Sequence, residues 1–237
     1  MNIDYDEMYA SGTKEHFDWV KKTALWKAEI LCGLIDEEET KSILEIGTGR
    51  GDVLNACHSF EVRIGADVSS EALEQHHREY GTEKLVKIKP DAPLPFEDNE
   101  VDFVLLCDIL EHVNNPNDLL REAARVGKNL LLKIPIEKAL LVSLMQKIRG
   151  VKYGANHPSG HLHCWRLPDI LRITDRAGLV IIRGGFVPTP LELTKKKTLI
   201  KTILFYCASL VDFITRGGWF TRCLIGGSFF ALARKKP

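Results

Sequence analysis

The sequence predicts an α/β fold, with helices on both faces of a doubly wound, mostly parallel sheet. Two patterns predict it. Short apolar segments of strand length alternate along the chain with segments of helical spacing. One segment, VDFVLLC at 101–107, is apolar almost throughout, as is typical of strands that a sheet buries on both faces. The 237 residues, 45% hydrophobic and 27% charged, suffice for one well-filled core.

The predicted elements follow one another in the order that such a sheet requires. Apolar residues spaced three or four apart predict a helix over 14–35, which leads to the strand ILEIG at 43–47. The segment at 69–80 is predicted to be a helix because a serine cap and an early glutamate open it. The remaining predictions are helices at 52–60, 117–125 and 167–178, and strands at 62–67, 85–89, 101–107, 128–136, 179–187 and 224–233.

The chain divides into a small N-terminal part and one larger unit. We expect 1–40 to form an N-terminal helical cap and 41–237 to form the main domain. That domain would carry an inserted segment at about 138–166 and a basic amphipathic helix at about 195–216. Aromatic residues are dense in the cap, Tyr5 and Tyr9 among them, and such residues either pack in the core or cover a ligand.

Charge is balanced overall but uneven along the chain. The formal net charge is zero, which argues against a dedicated nucleic-acid binder. From residue 195 to the end, nine basic residues face the single acid Asp212. An interfacial helix with the basic flank Lys195–Lys197 would contact an anionic membrane surface. The alternative is that the apolar face of this helix packs on the sheet.

The start of the chain and the cysteines suggest a reducing compartment. MNIDYDEMYA is acidic and has no lysine or arginine before Lys14, unlike a signal or transit peptide. The six cysteines are scattered, and no pair has the spacing of metal ligands. We expect a cytoplasmic protein with reduced thiols, peripheral to the inner face of the membrane if the basic helix binds there.

Three glycines follow the first strand in ILEIGTGRGDVL, namely Gly47, Gly49 and Gly51. Glycines between a strand and a helix let backbone N–H groups approach a ligand closely. A dinucleotide fingerprint would need a small residue where this chain has Asp52, whose carboxylate would repel a pyrophosphate. The turn therefore suits a positively charged ligand without phosphates, and a nicotinamide dehydrogenase is disfavoured.

Three successive motifs carry a family resemblance. ILEIGTGRGDVL, IGADVSSEAL and DAPLPFEDNEVDFVLLCDILEHV, between residues 43 and 113, resemble the motifs of class I S-adenosylmethionine-dependent methyltransferases, close to the type 11 group. The resemblance implies a Rossmann-like sheet of seven strands whose last strand is antiparallel. It also implies S-adenosyl-L-methionine as cofactor. Where the family has a leucine-lysine-proline-glycine-glycine turn, this chain has only RVGKNLLL.

The resemblance also implies which residues hold the cofactor. Asp67 ends the second predicted strand 18 residues after Gly49, where a carboxylate can accept hydrogen bonds from both ribose hydroxyls. Asp91 and Ala92 match the position near the adenine, and Cys107 and Asp108 the region near the methionine part. The full predicted set is Glu45, Gly47, Thr48, Gly49, Gly51, Asp67, Val68, Asp91, Ala92, Cys107, Asp108 and His112.

The segment NHPSGHLHCW offers the candidates for a catalytic base. It contains His157, His161 and His163, and histidine titrates near neutral pH. We predict His161 and His163 as catalytic, although residues two apart point to opposite sides of an extended chain. The alternative is a structural role, with the imidazoles bonded to backbone. A site with Cys164 matches no structural zinc spacing, so the sequence predicts no metal.

The function predicted by the resemblance is methyl transfer from S-adenosylmethionine to a small-molecule or lipid-linked acceptor. The incoming atom must be aligned with the methyl–sulfur bond and shielded from water. Whether the methyl group goes to oxygen, carbon or nitrogen is left open. The alternative is a protein of the same fold that binds the cofactor without catalysis, or that serves as the partner subunit of an enzyme.

Overall fold

The computed structural model describes residues 4–12, 14–36, 42–82, 84–136, 160–193 and 227–237. The basic amphipathic helix predicted at 195–216 lies outside the described residues. So do His157 and most of the inserted segment predicted at 138–166.

The sheet has seven strands, in the order β3-β2-β1-β4-β5-β7-β6. The first five run parallel, and β7 is antiparallel to both β5 and β6. The predicted α/β class, the strand number and the antiparallel last strand are thereby confirmed. The strands are β1 Ser42–Ile46, β2 Val62–Asp67, β3 Leu85–Lys87, β4 Val101–Cys107, β5 Gly127–Ile136, β6 Leu179–Val187 and β7 Gly227–Lys235.

The helices begin and end with local signals in the sequence. Ser69 precedes α4, and its side chain accepts a hydrogen bond from the N–H of Ala72 at 3.0 Å. Gly81 ends the same helix in the left-handed conformation. The helices are α1 Tyr5–Ala10, α2 Lys14–Cys32, α3 Asp52–Ala56, α4 Ser70–Tyr80, α5 Pro116–Val126 and α6 Leu167–Arg176, with a short 3₁₀ turn at Leu191–Leu193.

One predicted helix is shorter than expected. The prediction of a helix over 52–60 is wrong beyond Ala56, because Cys57 leaves the helical conformation with a ψ of 65°. The N–H of Cys57 instead bonds to the carbonyl of Leu54, which closes a tight turn. The chain then reaches β2 through a short loop, and Phe60 in that loop is buried in the core.

Two apolar clusters fill the space on the two faces of the sheet. Alternate residues of β4 belong to different clusters: Val104 and Leu106 to one, Phe103 and Leu105 to the other. The first cluster includes residues of α5 and α6, and the second includes residues of α2 and α3. This explains why VDFVLLC shows no alternation, since each face of β4 is covered. Burying such a side chain stabilises the fold by roughly 1.5–3 kcal/mol.

The turn that the resembling methyltransferases have before the fifth strand is absent in this structure. α5 passes directly into β5 at Gly127, whose N–H donates to the carbonyl of Ala123. A Cβ at Gly127 would lie 2.7 Å from the Cγ2 of Val104 on the neighbouring strand. The glycine therefore allows close helix-to-strand passage without a separate turn.

No helix among the described residues has the length and apolar character needed to cross a membrane.

A buried histidine packs against the loop after β1. His76 of α4 has no solvent exposure, and its Nε2 lies 3.0 Å from the hydroxyl of Thr82. A Cβ at Gly51 would lie 2.1 Å from that same Nε2. Burial, with repulsion from His77, lowers the pKa of His76 from 6.5 to about 4. The imidazole is therefore neutral across the physiological range.

The lowered pKa of His76 predicts that the protein loses stability as the pH falls. Its pKa is lower in the folded chain than in the unfolded chain, so its contribution is present above pH 6.5 and is lost as the pH falls towards 4. The pKa difference corresponds to a few kcal/mol, of order ~3 kcal/mol. We expect His76→Gln to flatten the change in free energy of unfolding between pH 6.5 and 4, measured by urea denaturation. The exposed His58 provides the control His58→Gln, and an unaltered slope in His76→Gln would contradict the prediction.

Candidate functional site

The candidate site lies where β1, β2 and β4 end. These strands are parallel neighbours, so their carboxyl ends meet at one edge of the sheet. Three loops leave that edge. They are the glycine turn 47–51 after β1, the segment 67–69 at the end of β2, and the segment 107–113 at the end of β4.

All three glycines of the turn are in the left-handed region. Their φ angles are +74° at Gly47, +53° at Gly49 and +78° at Gly51. Glycine alone adopts this region without strain. The N–H groups of Gly47 and Thr48 both donate to the carbonyl of Ala66 on β2, at 2.8 and 3.1 Å. The turn is thus held against β2, and its backbone is accessible at the edge of the sheet.

Asp67 joins the end of β2 to the glycine turn. Its Oδ2 accepts a hydrogen bond from the N–H of Gly49 at 2.8 Å, and its Oδ1 accepts one from the N–H of Ser69 at 2.9 Å. The residue is 5% exposed. Burial raises the pKa of Asp67, against the effect of the N–H groups that favour the carboxylate. The structure therefore brings together Asp67 and Gly49, which are 18 residues apart.

Glu45 braces the turn from within the sheet. Its Oε2 accepts hydrogen bonds from the Thr48 hydroxyl and from the N–H of Leu54 in α3, both at 3.1 Å. Burial raises the pKa of Glu45 to about 8, even though the hydroxyl and Lys27 favour the charged form. Glu45 therefore connects the turn with α3 and can retain a proton at neutral pH.

Asp108, in the loop after β4, pairs with two lysines. Asp108 follows β4 with a φ of +56°, and its Oδ2 lies 3.0 Å from the Nζ of Lys27 in α2. The Nζ of Lys133 in β5 pairs with its Oδ1. Burial opposes the charge of this carboxylate, but the two ammonium groups outweigh burial and hold the pKa of Asp108 below its usual range. Asp108 is thus a carboxylate at all physiological pH values.

Sequence reasoning missed both lysines. The signal was present, because Lys27 and Lys133 interrupt apolar runs of α2 and β5 and are 8% and 7% exposed. A buried lysine usually has an acidic partner. No spacing along the chain identified that partner as Asp108.

The N-terminal helix covers the glycine turn. Asp6 accepts hydrogen bonds from the Ser69 hydroxyl at 2.6 Å and from the N–H of Glu71 at 3.1 Å, which fixes α1 to the start of α4. A Cβ at Gly49 would lie 2.5 Å from the Tyr9 hydroxyl oxygen. Burial and the negative charge of Asp67 raise the pKa of Tyr9 above its usual value. The aromatic residues of this segment are evident in the sequence, but Tyr9 is not among the predicted site residues.

The remaining predicted cofactor residues lie around the same edge. Asp91 is exposed, with a φ of +53°, and accepts a hydrogen bond from the Asn114 side chain at 2.8 Å. This contact joins the loop after β3 to the loop after β4. Ala92, Val68 and His112 are partly buried, and Cys107 is buried.

The two predicted catalytic histidines have different neighbours. The N–H groups of Leu162 and His163 both donate to the carbonyl of Glu111, at 2.7 and 3.1 Å, which docks the histidine loop onto the loop after β4. His163 places Nε2 at 2.9 Å from the Val113 carbonyl and stacks on Trp165. His161 instead lies beside His112, with ring centroids 4.8 Å apart. His163 thus has the backbone contact of a structural histidine, and His161 adjoins a predicted site residue.

Comparisons with known proteins agree with this architecture. Residues 44–130 match a family model described as a methyltransferase domain. The resemblance to class I, type 11-like methyltransferases is confirmed. The matched segment runs from β1 into β5 and so contains the glycine turn, Asp67 and the loop after β4.

The chain also resembles one further protein in sequence and several solved structures in fold. The chain is 36% identical over 85 residues to the uncharacterized protein MJ1123 of Methanocaldococcus jannaschii, a match that spans 36% of this chain and 38% of that protein. The methyltransferase solved with its Trm112 activator from Haloferax volcanii has a TM-score of 0.68 at 17% identity, and both chains are covered in full. Magnesium protoporphyrin IX methyltransferase from Synechocystis, with bound SAH, has a TM-score of 0.59 at 17% identity, with 98% of this chain and 93% of that chain covered. These solved structures share the fold of this chain.

The raised pKa of Glu45 predicts a change of stability with pH. The folded pKa of about 8 lies above the ordinary value of 4.5, so the contribution is complete below pH 4.5 and is lost as the pH rises through 8. Glu45→Gln keeps an oxygen for Thr48 and Leu54 without the charge. We expect the variant to exceed the wild type in free energy of unfolding at pH 9, by up to about 4 kcal/mol, and to differ little at pH 5.

Urea denaturation at the two pH values measures this difference. Glu97→Gln, which removes an exposed carboxylate, is the matched control and should show no such pH-dependent gain. A Glu45→Gln variant that is less stable than the wild type at both pH values would contradict the assigned protonation of Glu45.

Proposed function

We propose that this protein binds S-adenosyl-L-methionine and transfers its methyl group to a small-molecule or lipid-linked acceptor. The observation that carries the proposal is the Asp67 carboxylate, which is buried at the end of β2 and oriented by the N–H groups of Gly49 and Ser69. Each carboxylate oxygen keeps lone-pair capacity beyond its one N–H contact. A nucleoside ligand presents two adjacent hydroxyl donors that match this acceptor.

The residues present fit the cofactor chemically. The three left-handed glycines leave backbone where side chains would intrude. The Asp108 carboxylate is paired with the ammonium groups of Lys27 and Lys133, so this cluster carries a net positive charge and suits the carboxylate of the cofactor's methionine part better than its ammonium. Tyr9 covers the turn from α1, so a ligand at Asp67 would contact this ring or displace it.

The protein residues would bind and orient, while the cofactor supplies the reactive group. S-adenosylmethionine contributes a methyl group on a positively charged sulfur, which is already activated for transfer. Asp67 would hold the ribose hydroxyls, and the segment at Cys107 and Asp108 would lie along the methionine part, which fixes the direction of the methyl–sulfur bond. The segment from Asp108 to His112 would form the side that faces the acceptor. His161, beside His112, is the better placed of the two predicted bases.

The alternative function is cofactor binding without methyl transfer. One observation supports this alternative. The same fold occurs in SpnF, a [4+2]-cyclase, with a TM-score of 0.59 at 18% identity, so the fold also serves reactions other than methyl transfer. The two functions differ in their product, because only methyl transfer releases the demethylated cofactor. A screen of lipid, quinone and sugar acceptors with that readout separates them.

Titration calorimetry tests the cofactor. We expect S-adenosylmethionine and its demethylated product to bind the full chain, and NAD not to bind. Asp67→Asn should weaken binding by roughly ten- to hundredfold, because a hydrogen bond to a charged acceptor contributes about 1.5–3 kcal/mol. Gly49→Val should abolish binding, since a side chain there meets Tyr9 and is strained at positive φ.

Asp118→Asn, which changes an exposed carboxylate on α5, is the matched control and should bind as the wild type does. If Gly49→Val fails to fold, as judged by its melting curve, Asp67→Asn carries the test alone. Binding of NAD, or equal affinity in Asp67→Asn and the wild type, would overturn the proposal.

Contact with an anionic membrane is a second part of the proposed function. It rests on the sequence of 195–216, whose basic flank and apolar face suit the lipid interface. We expect the wild type to co-sediment with vesicles that contain phosphatidylserine. Changing Lys195, Lys196 and Lys197 to Glu should reduce that fraction strongly, and added salt should do the same. Equal sedimentation of the two proteins would remove this part of the proposal.

A further inference from the structure

We propose that Glu111, His112 and His161 bind one divalent transition-metal ion. Each residue offers one ligand atom, a carboxylate oxygen or an imidazole nitrogen, and these atoms all lie within 4.8 Å of one another. Two imidazoles and one carboxylate form a donor set that suits zinc and related divalent ions. The sequence predicted no metal, because a site that included Cys164 matched no structural zinc spacing. The site proposed here does not include Cys164.

The burial of Glu111 supports a bound cation. The residue is 1% exposed, unlike the surface carboxylates that gather in clusters without any ion. A buried carboxylate needs a compensating positive charge close by. His112 and His161 are its neighbours in this cluster, and a divalent ion held by all three groups would supply that charge.

Backbone contacts position the three donor residues. Glu111 and His112 are adjacent in the loop after β4, and the N–H of His112 bonds to the carbonyl of Ile109. Two hydrogen bonds from Leu162 and His163 to the Glu111 carbonyl place His161 across from them. His161 lies one residue after Gly160, whose φ is +69°. The ligands are therefore brought together by the fold and not by flexible surface side chains.

The spacing is compatible with an ion after small side-chain movements. Zinc binds nitrogen and oxygen at about 2.0–2.2 Å, which places tetrahedral ligand atoms roughly 3–4 Å apart. The cluster extends to 4.8 Å. Both histidines are only partly buried, and their rings lie at 85° to each other, so side-chain rotation can close the difference.

The location relates the metal to the acceptor, an extension that rests on the proposed function. Ile109, two residues before Glu111, is the side chain that a Cβ on Gly47 would meet, at 2.6 Å from its Cδ1. The chain segment that carries Glu111 and His112 thus packs against the glycine turn through Ile109. Three protein ligands leave a coordination position for an oxygen atom. The acceptors we assign are therefore those with a hydroxyl or carboxylate oxygen next to the methylated atom. In the metal-bound protein His161 is a ligand, which replaces the role of base proposed above for the metal-free site.

Metal binding is tested on the full chain without any acceptor. Protein stripped with a chelator should bind one equivalent of Zn²⁺ by calorimetry, and Co²⁺ should give the visible d–d absorption of a protein-bound ion. Saturating Zn²⁺ should also raise the melting temperature. His161→Ala and Glu111→Gln should each weaken binding at least tenfold, which is the lower limit even for loss of an outer-shell partner.

Two controls match these variants. His58→Ala removes an exposed histidine, and Cys164→Ser removes the thiol that sequence considerations had raised; both should bind Zn²⁺ as the wild type does. If Glu111→Gln does not fold, His161→Ala, at a partly buried position, decides. No one-equivalent binding by the wild type, undiminished binding by His161→Ala, or loss of binding in Cys164→Ser would overturn this inference.

Failure of this inference is distinct from failure of the proposed function. S-adenosylmethionine binding is measured separately on metal-free protein. Cofactor binding without any metal binding overturns only the metal site. Metal binding without cofactor binding overturns only the methyltransferase proposal and its extension to oxygen acceptors.

Discussion

The contact between Asp67 and the N–H of Gly49 is the interaction on which the rest of the candidate site depends. It links the ends of β1 and β2 at the point where a ligand would enter. The contact requires Gly49 at positive φ, a turn tied to Ala66, and a parallel register that aligns the two strand ends. Asp67 also bonds to the N–H of Ser69, so the same carboxylate sets the approach to α4.

Burial around this contact favours the neutral form of several ionisable groups. It raises the pKa of Glu45 and of Tyr9, and it lowers the pKa of His76. Asp108 is the exception, because two lysines compensate its charge. The site therefore combines the weakly charged groups beneath the glycine turn with one charged cluster at the end of β4, Asp108 and its two lysines.

Several features were predictable from the sequence because they depend on neighbours along the chain. The unbroken apolar run of β4 predicted a strand covered on both faces, and Ser69 predicted the start of α4. The three glycines predicted a turn with exposed backbone. The end of α3 was not predictable in this way, since Cys57 leaves the helix in a residue pattern that would tolerate another turn.

The sequence by itself determined the order of strands and helices along the chain, the glycine turn and the family resemblance. Each of these depends on the types and spacing of residues that are near neighbours along the chain. The tertiary structure alone decided which distant groups meet. It paired Asp108 with lysines of α2 and β5, placed Tyr9 over Gly49, and brought His161 to Glu111 and His112 across some fifty residues. Such contacts depend on how helices and loops pack on the sheet, and packing brings together residues whose separation along the chain carries no signal.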